Sequence, residues 1–229
     1  MSPAHLDTMS AQTLNEPLNE PLNEPLNEPL NEPLTQPGSS ADLGTGLAGS
    51  SALAPIERLE EDRVYANPWV SVFFDRVALP GGAIARWNRI QVGQHDGVAV
   101  LPVRAQRIGL VAQYRYAISA VSMEIPRGFG DTDDHRSEAL RELAEETGSR
   151  PGEVIALGGV HPDNGILDSL VHLFLVEVDE DAPLAPVEAH EPPTFWLPID
   201  DVVAQVASGS ITDAFTVAAV GRARLRGLI

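Results

Sequence analysis

Residues 124–149 read EIPRGFGDTDDHRSEALRELAEETGS, and they form the most informative part of this 229-residue chain. The second half predicts a helix over about 134–147, with an apolar side that includes Ala139, Leu140 and Leu143. Gly148 follows as a residue that can end a helix in the left-handed conformation. Upstream, residues 126–131 predict a glycine-rich loop that brings backbone close to a ligand.

The predicted helix carries three carboxylates on one side, because residues three and four apart are neighbours on a helix surface. These are Glu142, Glu145 and Glu146. Clustered carboxylates repel one another unless a cation lies among them. Hard oxygen ligands suit Mg²⁺ or Mn²⁺, and such an ion usually reaches its substrate through phosphate oxygens. The alternative is an ordinary solvated amphipathic helix with a glutamate-rich outer face.

This segment resembles the Nudix box, the signature of hydrolases that cleave a nucleoside diphosphate linked to another group. The family pattern is Gly, five residues, Glu, seven residues, then Arg-Glu, aliphatic, any, Glu-Glu, any, Gly, aliphatic. The run RELAEETG at 141–148 matches the second half. Four residues separate Gly128 from Asp133, which stands where the family has Glu, and Ser149 replaces the last aliphatic residue.

Other segments resemble the ADP-ribose pyrophosphatase branch of that family, in the family's order. They include DGVAVLP at 96–102, QYRY at 113–116, EIP at 124–126 and SGSITDAFT at 208–216, and the resemblance spans about 63–226. The branch usually has a Pro about fifteen residues past the box, where this chain has Asn164. The resemblance implies an α/β fold, the Nudix-type α/β/α sandwich with a mixed β-sheet.

Composition excludes several function classes. The chain has 15 Lys and Arg residues against 33 Asp and Glu residues, for a formal net charge of −18, so a nucleic-acid polymer is not an expected partner. It has no cysteine, which excludes disulfides and thiol catalysis. No stretch approaches the ~18 apolar residues of a membrane span, and no signal peptide is evident. We expect a soluble cytoplasmic protein.

Two regions differ in sequence character. Residues 1–55 contain a repeated Leu-Asn-Glu-Pro unit followed by Gly, Ser and Ala, and we expect a disordered, acidic, low-complexity tail. Residues 56–229 are expected to form the Nudix domain. Apolar runs predict strands near 69–79, 83–91, 98–103, 109–114, 121–125, 154–160, 170–178 and 195–197, and helices near 199–207 and 213–226.

The resemblance assigns metal ligation to the box. Glu142 and Glu146 would be the principal ligands of Mg²⁺ (or Mn²⁺), Glu145 would share or complete the cluster, and the backbone carbonyl near Arg127 or Gly128 would add a ligand. Arg141 would pair with a neighbouring carboxylate, and Glu145 lies within i,i+4 reach.

Substrate contacts are expected from residues around the box. Arg115 and Arg127 are candidates for phosphate contacts, because a guanidinium matches phosphate oxygens bidentately. Ordinary surface ion pairs are the alternative for both. Glu124 would bind ribose or adenine groups, or cap a strand end. Asp168 would contribute across a dimer interface.

The general base is expected in the loop 179–193. Glu188 and Glu191 are the candidates, with His190 weaker, and Glu145 is the alternative if neither serves. His161 and His172 have no partner at metal-ligand spacing in the sequence, which favours a structural role for both.

Three functional hypotheses follow. The first is Mg²⁺-dependent hydrolysis of ADP-ribose to AMP and ribose 5-phosphate. The second keeps the reaction but changes the substrate to another nucleoside diphosphate sugar or a dinucleotide. The third is a non-catalytic ligand-binding module of the same fold. Relatives in this branch exchange N-terminal strands, so residues 63–100 predict a homodimerisation extension.

Overall fold

The computed structural model describes residues 55–179 and 193–229. The tail predicted over 1–55 therefore lies outside the described residues, apart from Pro55. Its disorder and the domain boundary stay predictions.

The first four strands form a separate antiparallel sheet. They are β1 (Glu57–Glu60), β2 (Arg63–Ala66), β3 (Val70–Ala78) and β4 (Ile84–Val92). β4 covers one edge of β3 along its full length, and β1 and β2 pair with successive parts of the other edge. Buried and exposed residues alternate in the second half of β3, as period-2 geometry requires. The sequence predicted β3 and β4 but neither β1 nor β2.

Seven strands form the main sheet. They are β5 (Gly97–Arg104), β6 (Arg107–Arg115), β7 (Ala120–Glu124), β8 (Arg127–Phe129), β9 (Pro151–Val160), β10 (Val171–Val178) and β11 (Thr194–Pro198). The strand order is β11-β6-β5-β10-β9, with β7 beside β6 and β8 beside β5. β5 runs parallel to β10 and the other pairs are antiparallel, so the sheet is mixed.

β5 and β6 pair only near their hairpin turn and then separate. β8 pairs with the first residues of β5, and β7 pairs with the second half of β6. The Val100 N–H donates to the Pro126 carbonyl at 2.9 Å, which fixes the connection between β7 and β8. The separation of β5 and β6 thereby places Glu124 and Arg127 in the gap between them.

Helices cover both faces of the main sheet. Val98, Val100, Phe174 and Val176 pack against Leu143 of α1 (His135–Thr147) on one face. On the other face, a larger core forms with α2 (Ile199–Ser208) and α3 (Ala214–Leu225). Neighbouring residues of β5 and β10 face opposite helices, and most are fully buried. The predicted α/β/α sandwich with a mixed sheet is confirmed.

The ends of α1 follow from its sequence. The Asp134 side chain accepts a hydrogen bond from the Ser137 N–H at 3.2 Å, which satisfies a free donor of the first turn. Gly148 ends the helix at φ 63°, and its N–H donates to the Ala144 carbonyl. Within the described ranges, no helix is both long and apolar enough to cross a membrane.

Candidate active site

The packing of Gly128 against Glu142 is the tightest feature of the site. A β-carbon on Gly128 would lie within 2.5 Å of both carboxylate oxygens of Glu142. Glu142 itself is only 8% exposed. Glycine is therefore required at position 128 for this carboxylate to lie directly against the backbone of β8.

Arg141 binds three carboxylates of its own helix. Its Nη1 donates to Glu145 Oε2 at 2.8 Å, and its Nη2 donates to Glu142 Oε1 at 2.8 Å and to Glu138 Oε2 at 2.9 Å. The Nη2 also reaches the Phe129 carbonyl at 3.3 Å. The sequence indicated the i,i+4 contact with Glu145, but it did not identify Glu138 as a site residue.

Electrostatics separate the carboxylates around Arg141. Burial raises the pKa of Glu142, and the charge of Arg141 only partly offsets this. Hydrogen bonds from Arg141 and Thr132 lower the pKa of Glu138. The pKa of Arg141 is raised, because its hydrogen bonds and the surrounding carboxylates outweigh its desolvation, which is the largest single effect. A bound cation would therefore stabilise the ionised form of Glu142.

Glu124 holds two arginines at the edge of the gap between β5 and β6. It is 1% exposed and accepts from Arg115 Nε at 2.9 Å and from Arg127 Nε at 3.0 Å. Its burial opposes ionisation, but the Arg115 hydrogen bonds and the Arg127 charge outweigh this and lower the pKa of Glu124. The two predicted phosphate-binding arginines therefore lie side by side, oriented by one buried carboxylate.

The start of α3 supports this cluster. The Asp213 carboxylate caps the helix through the Thr216 N–H at 2.9 Å and lies 3.7 Å from Arg127 Nη2. The Thr216 hydroxyl accepts from the Ile125 N–H at 3.0 Å, and the Arg127 guanidinium lies 4.8 Å from the centre of the Phe215 ring. Sequence reasoning found Asp213 as a helix start only, so its supporting position beside Arg127 was missed.

A cleft of about 320 Å³ opens at these residues. One wall carries Arg115, Arg127 and Gly128, and the remaining walls are mainly apolar. They include Val92, Phe129, Pro162, Leu167, Val171 and Phe215. The volume falls within the range of small-molecule sites, and convergent charged groups in an apolar cleft are typical of a binding site.

The shortened glycine-rich loop folds back onto α1. The Thr132 hydroxyl donates to Glu138 Oε1 at 2.9 Å, and the Gly130 N–H donates to the Asp96 carbonyl at 3.1 Å. Asp133, which occupies the family's glutamate position, is 96% exposed and lies 3.5 Å from His95 Nδ1. The sequence departure at Asp133 therefore lies outside the Arg141 cluster.

Asp168 binds a residue of the N-terminal sheet in its own chain. Its Oδ2 accepts from Arg89 Nη1 at 2.6 Å, and the same guanidinium binds Asp75 and Glu61. The structure thus places Asp168 at the junction between β4 and the loop before β10. The expected contribution across a dimer interface is not tested by this single chain.

The remaining residues of the expected site are the three candidates for the general base and Glu146. Glu188, Glu191 and His190 lie outside the described residues. Glu146 is partly buried near the end of α1, and its charge contributes to the raised pKa of Arg115, after the larger effect of the Glu124 hydrogen bond.

The donor set fits a hard divalent cation. Carboxylates of one helix and the backbone of Gly128 supply oxygen ligands, which Mg²⁺ and Mn²⁺ prefer. The Glu142 carboxylate lies directly against the backbone of Gly128, which places these two oxygen-bearing groups in the same region. Glu142, Glu145, Glu146 and Gly128 are therefore chemically suited to the role that the sequence assigned to them.

Comparison with known proteins agrees with this geometry. The NUDIX domain matches residues 93–215, more than half of the chain. A Streptomyces rubellomurinus CMP-5′-(N-acetyl-N-hydroxy-3-aminopropyl)phosphonate hydrolase is 30% identical over 170 residues, which cover 72% of this chain and 79% of that protein. The Bacillus subtilis ADP-ribose pyrophosphatase is 27% identical over 175 residues, 73% of this chain and 92% of that protein.

Two further matches broaden the comparison. A Cronobacter sakazakii GDP-mannose pyrophosphatase is 28% identical over 160 residues, 65% of this chain and 83% of that protein. A crystal structure of an ADP compounds hydrolase superposes with a TM-score of 0.67 at 17% identity, over 78% of this chain and 98% of that one, which supports the fold. The chain therefore belongs to the Nudix family and is a Nudix pyrophosphatase.

Proposed function

We propose that this enzyme hydrolyses ADP-ribose to AMP and ribose 5-phosphate with Mg²⁺ as its metal. The observation that carries the proposal is the juxtaposition of the Gly128–Glu142 contact with the Arg115–Arg127 pair on one wall of the cleft. Cations and guanidinium donors both bind diphosphates, and Gly128 connects the two here, because it lines the cleft beside the arginines and packs against Glu142. The similarity to an ADP-ribose pyrophosphatase supports the choice of substrate.

Arg115 and Arg127 would bind the diphosphate. Glu124 and Asp213 together balance the two guanidinium charges, so the arginines would bind the diphosphate through their directed N–H donors rather than through a net positive charge. The apolar walls, including Phe129 and Phe215, would contact the base or sugar and exclude water.

Glu142, Glu145, Glu146 and the backbone of Gly128 would hold Mg²⁺. When bound, the ion would lower the pKa of an attacking water and neutralise charge on the phosphate oxygens. Arg141 would position the Glu142 and Glu145 carboxylates, since it donates to both at 2.8 Å. The assignment of these four residues is an inference from their chemistry and placement.

A carboxylate base would take the proton of the attacking water. Glu188 and Glu191 remain the proposed candidates because of their position in the loop before β11. The Thr194 hydroxyl at the start of β11 donates to the Glu146 carbonyl at 3.1 Å. The residue that follows this loop is therefore attached to α1, the helix that carries the proposed metal ligands. Glu145, 54% exposed, is the alternative base within the described residues.

A second substrate class has its own support. The relatives include a GDP-mannose pyrophosphatase and a CMP-phosphonate hydrolase, which keep a nucleotide on one side of the bond and vary the other group. We therefore keep another nucleoside diphosphate sugar or a dinucleotide as the alternative substrate. The membership of the chain in an enzyme family argues against the non-catalytic module.

The test is Mg²⁺-dependent hydrolysis of a panel of ADP-ribose, GDP-mannose, NADH and diadenosine polyphosphates, with products separated by chromatography. AMP released from ADP-ribose, and lost in Glu146→Gln, is the expected result. Preferred turnover of another panel member would move the specificity while keeping the reaction. Absence of turnover with Mg²⁺ and Mn²⁺ across the panel would contradict the proposal.

We also propose a homodimer formed through the N-terminal sheet. This sheet exposes large apolar side chains, namely Val64, Tyr65, Trp69, Ile84 and Trp87, which are 45–65% exposed in the single chain. Apolar exposure of this kind favours a protein interface. Light scattering coupled to gel filtration should give twice the chain mass of 24.5 kDa, and a monomer would refute the proposal. The cytoplasmic location expected from the sequence stays a prediction.

A further inference from the structure

Two histidines and an aspartate converge at the start of α1, away from the glutamates of the box. They are Asp96, just before β5, His135, the first residue of α1, and His172 of β10. One ligand-type atom from each lies within 4.8 Å of the others. We propose that these three side chains bind one divalent transition-metal ion, of the class of Zn²⁺, Ni²⁺ or Co²⁺, at a site distinct from the catalytic metal site.

The hydrogen bonding of the cluster is incomplete. His172 Nε2 lies 3.1 Å from Asp96 Oδ2, so these two groups already face each other. His135 Nδ1 is buried and has no hydrogen-bond partner in the part of the chain that the structure describes. A buried polar atom without a partner is uncommon in a folded protein, and a coordinated ion satisfies an imidazole nitrogen as a partner would.

The ligand atoms lie close enough together to surround one ion once one side chain changes its rotamer. Three atoms no more than 4.8 Å apart lie within about 2.8 Å of a common point, whereas Zn–N and Zn–O bonds are about 2.0–2.2 Å. The His135 and His172 rings are stacked, with centroids 3.8 Å apart and planes inclined by 13°. Because a bound ion lies in the plane of each imidazole, one ring must turn out of the stack when the metal binds.

The ligand types separate this site from the catalytic one. Two imidazoles and one carboxylate suit Zn²⁺ and its neighbours, whereas the all-oxygen set around Glu142 suits Mg²⁺. His135 precedes Glu142 by seven residues, about 10 Å along the helix axis. Metal binding at the two sites can therefore be tested separately, by substituting the ligands of one site while leaving those of the other.

The surroundings of the cluster carry negative charge on the side of Asp96. A polar cleft of about 200 Å³ is lined by Asp96, Asp133, Asp168 and His95. This cleft shares Asp96 with the cluster and places further carboxylates beside it, and their negative charge favours a cation nearby. The helix N-terminus disfavours a cation at this end of α1, and the acidic side chains here, including the capping Asp134, oppose that effect.

An ion at this position would connect three elements. It would join the first turn of α1 to the start of β5 and to β10, and so fix the helix that carries the catalytic glutamates. No sequence pattern indicates this arrangement, because Asp96, His135 and His172 are far apart along the chain. The fold brings Asp96 and His135 next to His172, although no partner at metal-ligand spacing lies near His172 in the sequence.

The test uses tag-free protein carrying Glu142→Gln and Glu146→Gln, which removes the proposed catalytic ligands. Co²⁺ is titrated while visible absorption and paramagnetically shifted imidazole N–H signals in the proton NMR spectrum are followed. One equivalent of Co²⁺ with shifted imidazole signals is expected. Loss of His135 or His172 by substitution with Ala should weaken this binding at least about tenfold.

One control variant and one further cluster variant keep the result decisive. His161→Ala removes an imidazole that bonds the Ser169 carbonyl outside the cluster, and it should leave Co²⁺ binding unchanged. Asp96→Asn keeps a side chain of the same shape, so it should weaken binding in a folded protein, checked by circular dichroism. Absence of imidazole signals, or equal binding after substitution of either cluster histidine, would overturn the proposal.

Discussion

Substitution of Gly128 by Ala tests whether the position of the Glu142 carboxylate controls catalysis. The added β-carbon would lie within 2.5 Å of every carboxyl atom of Glu142, whereas ordinary van der Waals contact begins near 3.4 Å. The carboxylate must therefore retreat by roughly 1 Å, since non-bonded carbon and oxygen atoms cannot overlap. The backbone of Gly128 has a negative φ, so alanine itself is not strained there.

We expect this displacement to reduce activity far more than stability. A misplacement of about 1 Å in a catalytic group can cost on the order of 100-fold in rate. The clash involves the flexible end of a side chain, so the free energy of unfolding should change by no more than about 1 kcal/mol. kcat is measured with Mg²⁺ and the preferred substrate of the panel, and stability by urea unfolding.

Gly221→Ala is the matched control. It makes the same chemical change inside α3, where an added β-carbon meets no atom within 4 Å. It should raise stability by about 0.5–1 kcal/mol, because alanine favours a helix over glycine, and leave kcat unchanged. A Gly128→Ala enzyme with normal kcat would refute the reasoning, as would a loss of kcat that merely follows a loss of fold.

Charged side chains at the site and in the N-terminal sheet give three further predictions. Glu142→Gln should abolish turnover yet raise the Tm of the metal-free protein at pH 7. Burial raises the pKa of Glu142, so the stability associated with its protonated form is lost as pH rises, whereas the neutral Gln does not titrate. An unchanged or lower Tm would contradict this. The pKa of Glu124 is lowered on folding, so its stabilising contribution is present above the unfolded value of about 4.3 and is lost as pH falls through the folded value. The Tm difference between wild type and Glu124→Gln should therefore shrink below about pH 4, and a constant difference would contradict that linkage. Arg89→Ala should lower the free energy of unfolding by about 3 kcal/mol, because Asp75 is 3% exposed and would be left as an uncompensated buried charge. Arg86→Ala breaks only a half-exposed pair with Asp62, so in the same urea assay it should cost less than about 1 kcal/mol.

Elements with strong local signals were predictable from sequence. α1 has apolar residues at helical spacing, a capping Asp134 and a terminal Gly148, and each of these signals is local in the chain. β5 and β10 are continuous apolar runs, as expected of parallel strands covered on both faces. The confirmed fold follows from these elements together with the resemblance to the family.

Elements that depend on distant partners were not predictable. β1, β2 and β8 have only three or four residues each, and they are defined by pairing with β3 and β5 rather than by their own pattern. Asp168 meets Arg89 across 79 residues, and no periodicity connects them. The contact of Glu138 with Arg141 is local, but the i,i+3 spacing alone did not distinguish it from a solvated pair.

The sequence departures from the Nudix pattern fall where the structure can accommodate them. The missing residue shortens the loop between Gly128 and α1, and Asp133 projects into solvent beside His95 instead of reaching Arg141. Glu138 binds Arg141 through Oε2 and the loop hydroxyl of Thr132 through Oε1, so a helix carboxylate secures the shortened loop. Because Gly128 and Glu142 keep their contact, the loss of one loop residue need not disturb the proposed metal ligands. Thr132→Val keeps the side-chain shape but removes the hydroxyl, so it should loosen the loop and raise KM with little change in kcat. An equal fall in kcat and kcat/KM would contradict the view that the loop affects substrate binding while the metal site affects the chemical step.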